Sequence, residues 1–458
     1  MFKKGDPSDC SNYRGISLLS VVSKLFESVL LTRLRNVRDE RVRENQAGFR
    51  PGRGCIDQIF TLRQVLELRN EFQQPTIIAF LDFTAAFDSL HRDSLWAILR
   101  QDGVPEHYIQ LFQALYRDTF SVVRAGDAIS EPFCLGSGVR QGAINSPMLF
   151  NYVMDWILRN ALRDSRGVHL FGDSSLTDTE YADDVAILSD STIDLQNMID
   201  TIAQHAAMVG LSISVKKSKI LSVYLSAPVK ITVGSEAMEQ VTHFRYFGSE
   251  ITVSGDATIE ISARIARAQS AFLLLSRCLW LRPDISISTK CHVYTAAVRS
   301  ILLYGCETWP LRCQDIHRLA VFEHHCLRKI LRVSFLDRIC LTELYRRCGL
   351  EQSMETIIIQ HRWTWLGHIL RMPSEKLAKR AFLTSNPVGW KRPRGCPKMT
   401  WTRLVKSEAE KFLGYNHLPG WSSNWKNILA DLATDRAVWR GVIRDVSFIA
   451  GQASWRTP

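Results

Sequence analysis

Apolar residues recur at helical spacing near the start of the chain. Residues 17–35 therefore predict one helix. The apolar face expected on this helix consists of Leu18, Val22, Leu25, Phe26, Val29 and Leu30. A turn-rich segment follows at 48–54 (GFRPGRG), and the pattern then predicts a second helix from Asp57 to Phe72.

Two short apolar runs predict buried strands. Residues 76–81 (TIIAFL) are apolar and partly β-branched, so we expect a strand that ends at Asp82. A second strand is expected around residues 181–184 (YADD), with residues 185–188 (VAIL) as its exit arm. Between the two strands, a helix is predicted to begin at Ser146.

The pattern becomes helical again beyond Thr258 and stays so to about Leu350. Pro and Gly are denser after that point, which predicts an α-rich but less regular final module. The residues concerned are Pro373, Pro387, Pro393, Gly395 and Pro397.

Composition and charge point to a polyanionic partner. The chain has 458 residues, 46% of them apolar, which suits two to four structural units with large cores. The net charge is +11, and from Glu351 onward 17 Lys and Arg face 8 Asp and Glu. Eight of the twelve Trp lie in this same region. Cations bind phosphates and flat rings stack on bases. A set of buried Trp under a solvated basic face would give the same composition, so both interpretations stay open.

The remaining composition bears on the compartment. No window approaches the roughly 18 apolar residues of a membrane span, and residues 1–6 lack the apolar stretch of a signal peptide. Eleven cysteines without a framework fit reduced thiols. We therefore expect an intracellular protein of the cytoplasm or nucleus, neither secreted nor bound to a membrane.

Three acidic residues are candidates for chemistry. Asp82 ends one predicted strand, and Asp183 and Asp184 lie in the turn of another, each flanked by apolar residues where a solvated turn would be polar. Phosphoryl transfer to a hydroxyl uses two divalent ions about 4 Å apart, and Mg²⁺ prefers carboxylate oxygens. This arrangement predicts a two-metal site.

Several ordered segments carry a resemblance. They are 12–17 (NYRGIS), 45–53 (NQAGFRPGR), 80–88 (FLDFTAAFD), 138–147 (GVRQGAINSP), 181–184 (YADD), 210–214 (GLSIS) with Lys217, and 244–249 (FRYFGS). Together they resemble the motifs of reverse transcriptases of non-LTR (LINE-type, RTE-like) retrotransposons. The resemblance continues less sharply through 303–309 (LYGCETW) and 365–372 (WLGHILRM).

The resemblance implies an α+β right-hand polymerase. Residues 1–250 would form the fingers and a palm built on an antiparallel sheet, and 251–350 a helical thumb. Residues 351–458 would form a basic, Trp-rich, α-rich module that binds nucleic acid. The implied reaction is the addition of deoxynucleotides to a primer 3′-OH. Its partners would be an RNA template, a DNA primer or target DNA, and dNTPs, with two Mg²⁺ as cofactors and Mn²⁺ as the alternative ion.

The resemblance also implies roles for single residues. Asp82, Asp183 and Asp184 would bind the metals, and Lys217 would protonate the leaving pyrophosphate. Phe87 matches the steric gate that excludes a ribose 2′-OH, although a core Phe would look the same. The residues implied in nucleotide and template contacts are Arg50, Arg53, Arg140, Gln141 and Gly142; those of the primer grip are Tyr246, Phe247 and Gly248.

A loop in the basic module is a further candidate for nucleic-acid binding. Its cations are Lys391, Arg392, Arg394 and Lys398. Pro393 and Pro397 prevent a regular helix there, and Trp390 and Trp401 are expected to offer stacking surfaces. A solvated basic turn without a ligand is the alternative.

Some features depart from the family pattern. Ser214 stands where Asn is usual, and Phe247 where Leu is usual. An endonuclease normally precedes the polymerase, and this chain starts inside a fingers motif, so we expect a truncated element without that domain. Two rival functions remain: a catalytically inactive nucleic-acid-binding remnant, and an RNA-dependent RNA polymerase. A zinc site is a minor alternative, with ligands among Cys306, Cys313, His317, His324, His325 and Cys326.

Overall fold

The computed structural model describes residues 2, 5–171, 174–225, 227, 229–384, 389–395 and 398–454. Pro387, Pro397 and Trp455 lie outside these residues. The chain forms two compact units. Unit 1 consists of Met1–Gln58 and Gln74–Val241, and unit 2 of Ile59–Gln73 and Thr242–Pro458.

Unit 1 is built on a five-stranded sheet with the order β13-β10-β1-β9-β8. Its strands are β1 (Thr76–Leu81), β8 (Asp178–Tyr181), β9 (Asp184–Ser189), β10 (Lys219–Val223) and β13 (Glu239–Val241). Every pairing is antiparallel except that of β10 with β13, which is parallel. Short two-stranded ribbons are formed by β2 (Phe120–Ser121), β3 (Arg124–Ala125), β4 (Ala128–Ile129), β5 (Phe133–Cys134), β6 (Val168–Phe171), β7 (Ser174–Leu176), β11 (Thr232–Val233) and β12 (Glu236–Ala237).

Helices supply the rest of unit 1. They are α1 (Val21–Arg41), the first residues of α2 (Cys55–Glu71), α3 (Ala86–Ser89), α4 (Arg92–Gln101), α5 (Glu106–Tyr116), α6 (Ser146–Ala161) and α7 (Thr192–Met208). All six residues of β1 are buried, which explains why this central strand is a continuous apolar run. The predicted strand at 76–81, the hairpin around YADD and the helix from Ser146 are confirmed.

The predicted helix near the amino terminus is present, but its predicted buried face is wrong. Ser20 caps α1 by accepting the N–H of Ser23. Leu25 and Phe26 on the expected face are exposed, and of that face only Leu30 is buried. Glu27 is buried instead, because its carboxylate accepts backbone N–H groups from the segment before α6. Long-range polar contacts therefore orient this helix.

Unit 2 is almost entirely helical. It contains the greater part of α2 and, after Thr242, the hairpin of β14 (His243–Tyr246) and β15 (Ser249–Thr252). The helices are α8 (Thr258–Leu274), α9 (Ile287–Val293), α10 (Ser300–Leu302), α11 (Cys313–Leu331), α12 (Leu341–Cys348), α13 (Met354–Arg371), α14 (Leu377–Leu383), α15 (Trp401–Leu413), α16 (Trp421–Thr434) and α17 (Arg436–Ser454). The helical pattern predicted from Thr258 to Leu350 is confirmed. The predicted division at residue 350 lies inside this unit and stays a prediction.

Most of the carboxy-terminal Trp form a core. This core cluster also includes Phe60 and Phe382. The buried Trp are Trp363, Trp401, Trp421, Trp425 and Trp439. For these five residues the buried-core interpretation is correct, and they offer no stacking surface.

The described residues confirm a mixed fold of class α+β. Among them, no helix combines the length and the apolar character that crossing a membrane requires.

Candidate active site

The register of the central sheet brings the three acids to one edge. Leu81 at the end of β1 pairs with Val185 of β9, so Asp82 follows directly beside the start of that strand. Tyr181 pairs with Asp184 across the β8–β9 hairpin, which leaves Ala182 and Asp183 as its two-residue turn. Ala182 has a φ of 57°, in the left-handed region that a tight hairpin turn uses.

The electrostatics show that these carboxylates interact. Desolvation by the surrounding protein raises the pKa of Asp184 to about 6, and the charges of Asp183 and Asp82 add to the rise. Desolvation also raises the pKa of Asp183, again with a contribution from Asp82. Clustered acids that repel one another become fully ionised once a cation binds between them. The donor set, hard oxygen atoms only, is the one Mg²⁺ prefers.

Lys217 is the lysine that reaches this edge. Its Nζ lies 2.9 Å from Oδ2 of Asp82. Lys219, two residues further along the chain, forms a salt bridge of 2.7 Å with Glu239 instead. Of these two lysines, Lys217 is the one that contacts the acids.

The buried side chain of Gln46 holds the turn between β8 and β9 in place. Gln46 Oε1 accepts the backbone N–H groups of Gly48 at 2.8 Å and of Ala182 at 3.0 Å, and its Nε2 donates to Glu180 at 2.9 Å. A Cβ on Gly48 would lie 2.4 Å from the Ala182 nitrogen, so only glycine fits there. Both residues belong to segment 45–53, but no local pattern in the sequence indicates this role for Gln46 or Gly48.

A buried arginine anchors the same hairpin. Arg43 forms salt bridges with Asp155 at 3.1 Å, Asp178 at 3.2 Å and Glu180 at 2.5 Å. Burial lowers the pKa of Arg43, but the three carboxylates outweigh it and raise the pKa overall. The three acids are fully buried, so removing this arginine would leave them without their shared cation.

Phe87 lies just beyond Asp82, in the short helix α3. Its ring stacks on Phe150 of α6, with centroids 4.7 Å apart and planes 16° apart. It is only half-buried, and its carbonyl accepts the N–H of Val139 at 2.7 Å. One face of the ring is thus packed against the core, and the gate role of Phe87 stays a prediction.

The segment 138–147 lies against the same elements. Gln141 Nε2 donates to both carboxylate oxygens of Asp88, at 3.2 and 3.1 Å. Gly142 has a φ of 106°, and a Cβ there would lie 2.9 Å from the Ser17 carbonyl oxygen. The glycine is thus required by a contact within the protein. The guanidinium of Arg140 lies 5.3 Å from the centroid of the Tyr116 ring and donates to a backbone carbonyl.

Arg50 and Arg53 differ in how their guanidinium groups are bonded within the protein. Arg50 is buried, and its Nη1 donates to the carbonyls of Arg43 at 2.6 Å and Gln46 at 2.9 Å. Its Nη2 and Nε are bonded to Asp39. In this arrangement Arg50 holds the loop together, and its expected role in binding the triphosphate stays a prediction. Arg53 is ion-paired with Glu44 at the loop's margin.

Arg14 is a residue to which sequence analysis gave no role. Its positive charge lowers the pKa of Asp183 and of Asp88, against the larger effect of desolvation. The signal was available, because Arg14 belongs to the quoted segment 12–17.

The predicted primer-grip residues belong to unit 2. Tyr246 is buried at the end of β14, and Phe247 and Gly248 form a two-residue turn with φ values of 49° and 79°. Tyr304 donates its hydroxyl to the Phe247 carbonyl at 2.9 Å, and Arg267 donates to the Gly248 carbonyl at 3.1 Å. The turn is thereby held from the helical side.

The predicted basic loop is exposed in the residues described. Its cations, Lys391, Arg392, Arg394 and Lys398, all reach solvent. Arg392 also forms a salt bridge of 2.9 Å with Glu71 and lies over the Phe72 ring. One of the four cations is thus partly engaged within unit 2.

The flanking Trp do not serve as expected. Trp401 is fully buried, packs edge-on against Phe60 at 4.8 Å and donates its Nε1 to the Glu307 carbonyl at 2.7 Å. Trp390 lies against Phe72, with centroids 5.6 Å apart. The expected stacking role is therefore wrong for Trp401.

The described residues contain one tight group of mixed metal-ligating side chains. The ligand atoms of Cys306, Glu307 and His361 all lie within 4.8 Å of one another. The three aspartates are more widely spaced than this, as two separate ions permit. Burial raises the pKa of the Cys306 thiol, which opposes metal binding there.

Comparison with known proteins gives the class. Residues 2–251 match the family "Reverse transcriptase (RNA-dependent DNA polymerase)". The match covers more than half of the 458 residues and includes every motif of unit 1. The chain belongs to this family, and its fold is that of a right-hand polymerase.

Individual relatives come from transposable elements of Drosophila melanogaster. The chain is 25% identical over 414 residues to "Probable RNA-directed DNA polymerase from transposon BS", covering 86% of this chain and 44% of that protein. It is 29% identical over 255 residues to the Pol polyprotein of the type-2 retrotransposable element R2DM, covering 53% of this chain and 24% of that protein. The chain therefore spans less than half the length of either relative. Its relatives are non-LTR retrotransposon polymerases, as predicted.

A solved structure of telomerase from Candida Tropicalis, in complex with a fragment of telomeric RNA, also matches. Its TM-score is 0.37 at 13% identity, covering 79% of this chain and 57% of that one. A likeness this low carries no argument about function.

Proposed function

We propose that the chain is an RNA-directed DNA polymerase of a non-LTR retrotransposon, which adds deoxynucleotides to a primer 3′-OH on an RNA template. The observation that carries this proposal is the meeting of Asp82 with the turn bearing Asp183 and Asp184, with Lys217 on Asp82. Membership in the reverse transcriptase family supports it.

Asp82, Asp183 and Asp184 would hold two Mg²⁺, with Mn²⁺ as the alternative ion. When bound, the two ions activate the primer 3′-oxygen and stabilise the leaving pyrophosphate. The protein's part is to keep three carboxylates close in spite of their repulsion. Gln46 and the buried salt bridges of Arg43 do this by fixing the hairpin on which two of the acids lie.

Lys217 would donate the proton that the leaving pyrophosphate needs. Its Nζ already lies at the acids, and its partner Asp82 would exchange the ammonium for a metal when substrate enters. Arg14 and Arg53 would attract the triphosphate, because a guanidinium matches phosphate oxygens. Arg50 would act indirectly, by shaping the loop that carries Arg53.

Sugar and template selection would fall to the residues beside α3. Phe87, fixed on Phe150, would occupy the space of a ribose 2′-OH. Arg140, Gln141 and Gly142 would lie along template and nucleotide. The side chain of Gln141 is bonded to Asp88, so it would have to exchange this bond for a nucleic-acid contact.

Unit 2 would supply the primer and nucleic-acid contacts. Tyr246, Phe247 and Gly248 would grip the primer. Lys391, Arg392, Arg394 and Lys398 would bind phosphates of template RNA or target DNA.

Primer extension on an RNA template tests the proposal and separates its rivals. Purified chain is incubated with Mg²⁺ and either dNTPs or rNTPs. Extension with dNTPs is expected. Extension with rNTPs alone would indicate an RNA polymerase, and binding without extension would indicate an inactive remnant.

A further inference from the structure

A cleft in unit 2 runs along the helices α13 and α17. It has a volume of about 780 Å³, and its lining includes His361, Trp365, His368, Arg371 and Arg436. A second cavity of about 810 Å³ continues along the same two helices and shares four lining residues with the first. The two cavities therefore form one groove.

The groove gathers positive charge. Arg371 at the end of α13 lies close to Arg436 at the start of α17: burial lowers the pKa of Arg371, and the charge of Arg436 lowers it further. Arg440 follows one turn later on α17. Arg371 Nη1 donates to the Ala433 carbonyl at 3.2 Å, and Arg440 Nε to the Arg436 carbonyl at 3.2 Å.

No carboxylate neutralises these three arginines by a salt bridge within the described part of the chain. Glu307 lines the first cavity and Glu351 the second, and neither carboxylate forms a salt bridge with these arginines among the described residues. Asp435 accepts the N–H of Ala437 at 2.6 Å where α17 begins. Like charges brought together without a counterion are unfavourable, so the arrangement favours an anion in the cleft.

An indole in the lining also lacks a partner. Trp365 Nε1 is buried and makes no hydrogen bond in the structure described. Its ring lies 5.2 Å from that of His368 and 5.8 Å from that of Phe60. Because Nε1 is shielded from solvent, a ligand in the groove would meet the half-buried ring of Trp365 and not its N–H, and a base could lie against this ring.

The size of the groove restricts which ligands it can bind. Each cavity falls within the range of small-molecule sites, roughly 300–1,000 Å³, so it admits single nucleotides but not a duplex. We propose that the groove between α13 and α17 binds single-stranded nucleic acid, with phosphates on Arg371, Arg436 and Arg440 and a base beside Trp365. This site goes beyond the proposed polymerisation and does not depend on catalysis.

Binding of a labelled single-stranded oligouridine tests the proposal. Its affinity for the full chain is measured by fluorescence anisotropy over a salt series, without dNTPs. The variant Arg371→Gln, Arg436→Gln, Arg440→Gln should bind at least about tenfold more weakly, with a salt slope flatter by about two units. The control Arg277→Gln, Arg282→Gln, Arg338→Gln removes the same charge at exposed positions and should change both quantities much less.

Two further arms make the result decisive. Trp365→Ala removes the ring and no charge, and is expected to weaken binding severalfold at an unchanged salt slope. A poly-glutamate peptide of equal charge should compete poorly. Equal affinities and slopes for the cleft and control variants, both with unchanged melting temperatures, would overturn the proposal. Efficient competition by poly-glutamate in the parent chain, together with unchanged RNA affinity in the cleft variant, would also overturn it and would assign the groove to an acidic protein.

Discussion

At the scale of single residues, the candidate site depends on polar groups that the chemistry itself does not use. Gln46 holds the turn that carries Asp183 and precedes Asp184, and Arg43 joins three buried carboxylates on the same hairpin and on α6. Phe87 owes its position to Phe150. These contacts join segments that are distant in sequence, so no local pattern could have predicted them.

Phe87 gives a prediction about sugar choice. Phe87→Ala should open the space of the ribose 2′-OH and raise ribonucleotide over deoxynucleotide incorporation by about tenfold or more. Competition between labelled dNTPs and rNTPs measures the ratio. Phe112→Leu, which loosens the same core, should leave it unchanged. An unaltered ratio in folded Phe87→Ala would remove the gate role.

Glu67 gives a prediction about pH. Burial raises the pKa of Glu67 to about 8, although the Trp401 N–H and the charge of Arg63 oppose the rise. The folded chain thus holds a proton that the unfolded chain releases near its ordinary value of 4.5. Stability therefore falls as pH rises from 4.5 to 8.

The substitution Glu67→Gln tests the predicted fall in stability with rising pH. The amide keeps an acceptor for the Trp401 N–H, 2.9 Å away, and removes the ionisation. Its melting temperature should exceed that of the parent at pH 8.5, and the difference should vanish near pH 4. A constant difference across this range, measured by calorimetry, would refute the pKa assignment.

At the scale of elements, the sequence predicts a helix or strand best where hydrophobic burial alone determines its position. The strand at 76–81 is buried on both faces, so its apolar run gives its bounds directly. The first helix is different, because apolar residues lie on two of its sides. The buried side is chosen by Glu27 and by Arg38, which donates to the Phe49 carbonyl at 3.2 Å.

The type of a residue likewise does not tell whether its side chain is available to a ligand. A guanidinium in a turn-rich loop suggests a phosphate ligand, yet Arg50 bonds to the loop's own carbonyls. A Trp beside basic residues suggests a stacking surface, yet Trp401 lies in a core. Composition identifies the kind of partner, but burial decides which side chains can reach it.

The substitution Gly48→Ala tests the contact between segment 45–53 and the turn that joins β8 and β9. Gly48→Ala would press a methyl group against the Ala182 nitrogen and displace the turn. A misplacement of about 1 Å can cost roughly 10²-fold in rate, so we expect a loss of that order with folding retained. Gly136→Ala, where a methyl group meets nothing within 4 Å, should extend primers normally. Normal extension by Gly48→Ala would contradict the tight contact.

At the scale of the whole molecule, the candidate metal-binding acids and the excess of basic residues lie in different units. The acids lie in unit 1, whereas the surplus of basic residues lies in unit 2. Catalytic rate and nucleic-acid affinity should therefore respond to different substitutions.

The basic loop tests this separation. Replacing Lys391, Arg392, Arg394 and Lys398 with Ala should weaken RNA binding and flatten the salt slope by about two units, since Arg392 is partly engaged with Glu71. Single-nucleotide addition at saturating primer–template should be nearly unchanged. An unchanged slope would leave the loop as a solvated basic turn.

The central claim is that Asp82, Asp183 and Asp184 form a polymerase metal site. Asp183→Asn removes one charge while nearly preserving the shape of the side chain. Single-turnover primer extension on an RNA template with dNTPs and Mg²⁺ compares it with the parent chain. The account predicts a loss of at least about 10²-fold, with melting temperature and RNA affinity retained. Extension by Asp183→Asn at the parent's rate would contradict it.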